Sequence, residues 1–191
     1  MADKNANDNI ITTPVGRISF PNLNKPRAVN DGDTPKFSLS LLFDKEAQES
    51  KQFKRMRREV EKAIEEKWGD NPPRKLKTPF LTIDDMDKIP DGYDEDTVFI
   101  RVSSTIRPGL VDQHKNAVDP DDARDVFVPG HYARAAVHVY AWQHPQGGKG
   151  VSFGLDHVQY ARKGEPFGNK TDPDDVFDAL EDEDEDQDEP F

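Results

Sequence analysis

The segment covering residues 132–142 alternates between two kinds of side chain. Every second residue is small or apolar, which is typical of a strand that packs one face on a protein core. The positions between them carry Tyr132, Arg134, Ala136, His138, Tyr140 and Trp142. Aromatic rings stack on nucleobases, and a guanidinium binds phosphate. The pattern predicts a surface for single-stranded nucleic acid, with Tyr132, Tyr140 and Trp142 stacking on bases and Arg134 contacting phosphate.

A second alternating stretch, residues 97–107, repeats this combination. Phe99, Arg101 and Arg107 alternate with apolar residues, so we predict that they face away from the core. Phe99 would then stack on a base, and both Arg side chains would bind phosphate. Four cations from loops and strand ends complete the predicted phosphate contacts: Lys25, Arg27, Lys149 and Arg162. In the alternative interpretation, both faces of these strands are buried beneath a helix or in a dimer interface, and the residues alone do not decide between the two.

The C-terminal segment, residues 171–191, is strongly acidic. It holds 12 Asp and Glu and no Lys or Arg, whereas residues 1–170 hold 26 acidic and 26 basic side chains. The segment finishes on Asp188, Glu189, Pro190 and Phe191. An aromatic ring beside carboxylates can enter a partner's pocket while a base binds the negative charge. We therefore predict that these four residues bind a protein partner, the alternative being a tail that only increases solubility.

Composition excludes several classes of protein. The chain has no Cys, which removes disulfides and thiolate metal sites, and its 34% apolar residues include no run long enough to cross a membrane. The polar N-terminus lacks the apolar core of a signal peptide. We predict a cytoplasmic protein, in the host cytoplasm if the chain comes from a phage.

The sequence carries no clear signature of catalysis. It lacks a Gly-rich phosphate loop and a nucleophile elbow, and its five His are not paired at metal-binding spacing. We predict that the protein is not an enzyme and has neither a cofactor nor a metal ion. Two alternatives remain open. The first is a DNA mimic or other acidic interaction module, and the second is a nuclease that binds Mg²⁺ through the acidic loops at residues 84–96 or 119–125.

Short strands separated by many turns position these side chains. They are joined by one amphipathic helix, which we predict to begin after Asp44 and to end at Gly69. The face pattern of residues 151–162 changes phase near Asp156, which indicates a β-bulge. The elements predict a mainly β protein, a small barrel or sandwich. We divide the chain into a disordered N-terminus (1–11), one domain (12–168) and a disordered acidic tail (169–191).

Three stretches resemble a known family. Residues 129–141 (PGHYARAAVHVYA) and 150–168 (GVSFGLDHVQYARKGEPFG) are similar to a tailed-phage family of single-stranded-DNA-binding proteins with an OB-fold, typified by the Enc34 phage protein. Residues 16–23 (GRISFPNL) resemble the opening strand of that family. The acidic tail with its Pro-Phe ending resembles the tails of bacterial and T7-type single-stranded-DNA-binding proteins.

The resemblance implies more than the residue patterns do. It implies an OB-like β-barrel that binds single-stranded DNA with little sequence preference during phage DNA replication, recombination or repair. It also implies the absence of catalysis, and an acidic C-terminal tail that competes with DNA or recruits replication and recombination proteins. Self-association is left open.

Overall fold

The computed structural model describes residues 9–168, which form eight strands and three α-helices. The strands are β1 (Ile10–Thr12), β2 (Gly16–Arg27), β3 (Lys36–Phe43), β4 (Leu76–Lys77), β5 (Val98–Ser104), β6 (Gly109–Val111), β7 (Tyr132–His144) and β8 (Gly148–Arg162). The helices are α1 (Lys45–Glu49), α2 (Lys51–Trp68) and α3 (Ala123–Val126). The expected disorder of residues 1–8 and 169–191 concerns parts of the chain outside the described residues.

Five of the strands close into a ring. In order around the ring, β2 pairs with β3, β3 with β5, β5 with β8, β8 with β7, and β7 again with β2. Within the ring, β5 and β8 run parallel and the other neighbours run antiparallel. A small five-stranded Greek-key barrel of this kind is the OB-fold. The predicted OB-like barrel is therefore confirmed.

The interior of the barrel follows the alternation read from the sequence. On β7, Ala133, Ala135 and Val137 are fully buried, and their small side chains leave room for larger ones from the facing strands. The predicted bulge is also present. Ala136 pairs with His157 and Val137 with Leu155, so Asp156 is the extra residue on β8.

Helix α2 buries an apolar stripe in the barrel core. Phe53, Met56 and Val60 are buried on it, and the Phe53 ring packs edge-on against Phe43 of β3 with ring centres 5.5 Å apart. The predicted end at Gly69 is confirmed, because this residue has φ +62°, a conformation that favours Gly. The predicted single helix is interrupted at Ser50, where extended backbone separates α1 from α2.

Substitution of the residue at this interruption tests how α2 is held. The backbone N–H of Phe53 donates to Ser50 Oγ at 3.2 Å, which caps the first turn of α2. We expect Ser50→Ala to lower the free energy of unfolding by about 1 kcal/mol, measured by urea denaturation. Gln52→Ala, at an exposed position in the first turn of the same helix, is the control and should change the free energy of unfolding by less than about 0.5 kcal/mol. Equal effects of both changes would contradict the cap.

The predicted N-terminal boundary is wrong by two residues. Ile10 and Ile11 belong to β1, which pairs with β7 through Ile10–His138 and Ile11–Val137. Ile11 is buried in the main core. A three-residue strand leaves little periodic signal in a sequence, and here it is stabilised by pairing with a strand more than a hundred residues away.

Candidate nucleic-acid interface

The outward side chains of four neighbouring barrel strands form one continuous surface, which we call the outer face. Its members are Ser38 and Ser40 of β3, Arg101 and Ser103 of β5, His138, Tyr140 and Trp142 of β7, and Ser152 and Gly154 of β8. Ser40 lies at the edge of this face and is buried beneath Tyr93. Most of these side chains are small, so the strands present a shallow floor. The aromatic rings of β7 lie along one side of that floor, and the Arg101 side chain is exposed within it.

Small residues on β8 allow the rings of β7 to lie down on the sheet. The register places Trp142 opposite Gly150 and His138 opposite Gly154. A Cβ added at Gly150 would lie 2.7 Å from the Trp142 ring, and one added at Gly154 would overlap the His138 ring. Both rings therefore occupy space that any larger residue on β8 would fill.

Hydrogen bonds fix the orientation of two of these rings. Trp142 Nε1 donates to Ser152 Oγ at 2.9 Å, and Nδ1 of His138 lies 2.8 Å from the carboxylate of Asp156, the bulge residue. Lys77 of β4 places its ammonium group 5.9 Å from the centre of the Trp142 ring. The Tyr140 ring is exposed, with 42% of the residue's surface accessible. The arrangement offers flat, oriented rings beside a cation.

The Arg101 end of the outer face is closed by Tyr93. Burial raises the pKa of the Tyr93 phenol, while hydrogen bonds with Ser19 and Ser40, and the charge of Arg101, counter a part of the rise. The phenol is therefore neutral at physiological pH. It borders the floor without adding negative charge.

Phe99 does not lie where the sequence interpretation placed it. Its side chain is fully buried, with a relative exposure of 0%, and packs against Tyr93 at a ring-centre distance of 5.1 Å. Leu42 of the neighbouring strand joins the same small cluster, over which residues 79–93 fold. Phe99 is consequently unavailable for stacking on a base in this conformation. At this end of β5 both strand faces are buried, but the outer one lies beneath the loop of residues 79–93 and not beneath a helix.

Tyr132 and Trp142 lie at opposite ends of β7. Ten residues of extended strand separate them, which corresponds to about 33 Å. The Tyr132 ring is half-buried, and the guanidinium of Arg162 lies over it at 4.0 Å from the centre. Near them, Arg134 Nε donates to Gln159 Oε1 at 2.8 Å and stays exposed. These three predicted site residues form a group separate from Tyr140 and Trp142.

The remaining predicted cations lie near the two ends of the outer face. Lys25 and Arg27 are exposed at the end of β2, and Arg107 donates to the carbonyl of Asn24 at 3.1 Å. Lys149 lies at the turn between β7 and β8, opposite Gln143. Two further cations, Lys36 and Lys77, were not among those predicted from the sequence. Lys36 pairs with Arg27 across the β2–β3 hairpin. The register of the strands, which no local pattern reveals, assigns both to the site.

A metal-binding cluster and a membrane-spanning helix are both absent from the described residues. Within residues 9–168, no three His, Asp or Glu side chains come together so as to hold a metal ion. No helix of that region combines the length and the apolar character needed to cross a membrane. The predicted partner-binding residues Asp188, Glu189, Pro190 and Phe191 lie outside the described residues.

Comparison with known proteins places the chain in a family. The sequence profile described as "Enterobacter phage Enc34, ssDNA-binding protein" matches residues 8–189. The chain belongs to this Enc34 family. A putative protein, p50, of Acyrthosiphon pisum secondary endosymbiont phage 1 is 27% identical over 158 residues, covering 79% of this chain and 82% of that protein.

Solved structures show the same fold. The Enc34 single-stranded DNA-binding protein in complex with single-stranded DNA superposes with a TM-score of 0.71 at 22% identity, covering 84% of this chain and 90% of that one. The single-stranded DNA-binding protein gp2.5 of bacteriophage T7 gives a TM-score of 0.58 at 17% identity, covering 91% and 95%. The expected resemblance to the Enc34 family is thus confirmed, and the likeness to the T7 protein holds at the level of the fold.

Proposed function

We propose that this Enc34-family chain binds single-stranded DNA with little sequence preference across the outer face. The observation that carries the proposal is the placement of Tyr140 and Trp142 on the same face as the exposed Arg101, which lies across β8 from them, on a floor of small residues. Ring faces stack on any base, so such a surface discriminates poorly between sequences. OB-folds bind oligonucleotides on their second and third barrel strands and on the loops after the first and fourth. In this chain those strands are β3 and β5, which contribute Ser38 and Arg101.

The cations around the outer face support a path for the DNA backbone. Lys25, Arg27, Lys36 and Arg107 surround the β2–β3 hairpin, which is the loop after the first barrel strand. Lys77 and Lys149 lie near the β7–β8 turn, the loop after the fourth. Bases on the floor would leave phosphates within reach of both groups, and phosphate neutralisation supplies much of the affinity for single strands.

Residues at the far end of β7 would hold the strand as it leaves. We propose that Arg134 and Arg162 contact phosphates beyond the Asp156 bulge. Tyr132 would support them, because its ring is already covered by the guanidinium of Arg162. Its role would then be to orient a cation and not to stack on a base.

We propose that the protein coats single-stranded DNA during phage replication, recombination or repair. Support comes from membership of the Enc34 family and from an OB barrel shared with the T7 protein. A platform that accepts any sequence suits the protection of strands exposed by unwinding. The same chemistry predicts no catalysis and no cofactor.

The position of the last described residues supports competition between the acidic tail and DNA. Phe167 packs in the cluster of Tyr93, Leu42 and Phe99, at the edge of the outer face, and the Arg17 guanidinium lies 4.2 Å from its ring centre. The acidic segment therefore starts beside the proposed DNA surface. We propose that its carboxylates compete with phosphates there, while Asp188 to Phe191 recruit replication or recombination proteins.

The dependence of binding on salt tests the proposed function. In gel-shift titrations, we expect single-stranded oligonucleotides to bind more tightly than duplexes of the same length and to lose affinity as salt rises. Each phosphate contact contributes about −0.7 to the slope of log K against log salt. Arg101→Gln should therefore weaken binding and flatten the slope by about 0.7.

Arg55→Gln, an exposed position of α2 away from the outer face, is the matched control and should leave the slope unchanged. A salt-independent affinity, or equal binding of duplex and single strand, would contradict the proposed site. If only the Arg55 variant flattens the slope of log K against log salt, the phosphate contacts lie on the helix and not on the outer face.

A further inference from the structure

An exposed aromatic residue occupies a strained position on β2. Phe20 has φ +46°, which residues other than Gly, Asn and Asp seldom adopt, and 58% of its surface is accessible. The strain arises at an irregularity in the register, where Ser19 pairs with Ser40 and Asn22 with Ser38. Phe20 and Pro21 therefore both oppose Leu39. Strained positions of this kind persist where the surroundings hold them and are concentrated at binding sites.

Phe20 forms one wall of a cavity that lies apart from the aromatic rings of the outer face. The cavity has a volume of about 340 Å³ and is lined on its apolar side by Phe20, Leu23, Phe127 and Pro129. Two cations, Arg27 and Arg124, complete the lining. Neither guanidinium forms an ion pair with a carboxylate of residues 9–168. An apolar cavity flanked by two such cations suits an aromatic side chain preceded by acidic residues.

The C-terminal segment leaves the barrel beside this cavity. The backbone N–H of Phe167 donates to the carbonyl of Pro129 at 3.2 Å, and Pro129 is one of the lining residues. Residues 169–191 follow, and a chain of that length can extend over about 70 Å, more than enough to reach the cavity. Their last four members are Asp188, Glu189, Pro190 and Phe191. This segment thus carries an aromatic ring and carboxylates within reach of a cavity with the complementary chemistry.

We propose that the cavity seats Phe191 of the same chain, with Asp188 and Glu189 bound by Arg27 and Arg124. The ring docks here, away from Tyr140 and Trp142, whereas the carboxylates nearer the barrel compete with DNA at the outer face. Arg27 is the one cation shared by the tip and the proposed DNA path, and Arg124 serves the tip alone. While the ring is seated, the tip is withheld from other proteins. Release from the cavity is then the step that makes the tip available to a partner.

Photocrosslinking in the full-length chain tests the proposal. With p-benzoylphenylalanine at position 191, irradiation should link this residue to positions 20–24 or 123–129 of the same chain, as mapped by mass spectrometry. Arg27→Glu combined with Arg124→Glu should lower the yield about tenfold or more. Arg55→Glu combined with Arg58→Glu, an exposed pair of equal charge on α2, should leave the yield unchanged. Both double variants change exposed residues, and thermal melts verify that they are folded.

Several results would overturn the proposal. They are crosslinks to Tyr140, Trp142 or Arg101, crosslinks between two copies, a yield unaffected by the Arg27 and Arg124 changes, or no crosslink. If Phe20→Ala weakens binding of oligo-dT while no crosslink maps to the cavity, Phe20 is a DNA contact instead. Oligo-dT binding by each variant is measured separately in gel shifts. Failure of single-stranded DNA binding is therefore distinguished from failure of tip docking.

Discussion

Trp142→Ala should weaken the binding of oligo-dT by roughly 5- to 150-fold. Loss of one base-stacking ring costs about 1–3 kcal/mol, and about 1.4 kcal/mol corresponds to a factor of ten in affinity. The structure supports a large effect because the indole is already oriented by its bond to Ser152 and by the space above Gly150. Little ordering entropy is then lost when a base stacks on it.

Tryptophan fluorescence gives a direct measurement of the same contact. In the unmodified chain, oligo-dT should quench Trp142 emission. Trp68 packs against the barrel core from α2, and its emission should not respond to DNA. Trp142→Phe retains a ring and should lose about threefold or less, because a smaller ring still stacks.

Trp68→Phe is the matched control and should leave affinity unchanged. Thermal melts of the Trp142 variants verify that removing the indole leaves the β7–β8 pair folded. If oligo-dT binds the unmodified chain without changing Trp142 emission, the outer face is not the binding surface.

Deletion of residues 171–191 should raise the affinity for single-stranded DNA about tenfold at low salt. The segment carries 12 carboxylates and starts near Phe167, beside the outer face. Tethering gives it an effective concentration in the millimolar range. If the segment itself binds the cations with a Kd of about 0.1 mM, the apparent DNA affinity of the full chain falls by about tenfold. The effect should shrink as salt screens the charges.

Two further variants separate charge from the terminal ring. Changing all 12 acidic residues of the segment to Asn or Gln should reproduce the deletion in gel-shift titrations. Deleting Phe191 alone should leave DNA affinity nearly unchanged, because the charge remains, and should abolish capture of a partner protein. A deletion that binds DNA no better than the full chain in low salt would exclude competition.

Features set by neighbouring residues were predictable from the sequence. The period of two on β7 assigned Ala133, Ala135 and Val137 to the core, because successive strand residues point to opposite faces. The phase change near Asp156 located the bulge, and the spacing of Phe53, Met56 and Val60 identified the buried stripe of α2. The charge contrast between the tail and the rest of the chain also required no structure.

Tertiary packing and strand pairing determined the remaining features of the site. Phe99 alternates with core residues as a solvent-facing side chain would, yet the loop that precedes β5 folds back over it. The register of the β2–β3 hairpin places Lys36 opposite Arg27, among the cations of the candidate site. The length of β7 places Tyr132 and Trp142 far apart. The Phe20 cavity joins β2 to a segment a hundred residues later in the chain. Periodicity reports which face of a strand a residue occupies, whereas the exposure of that face depends on which other segments pack against it.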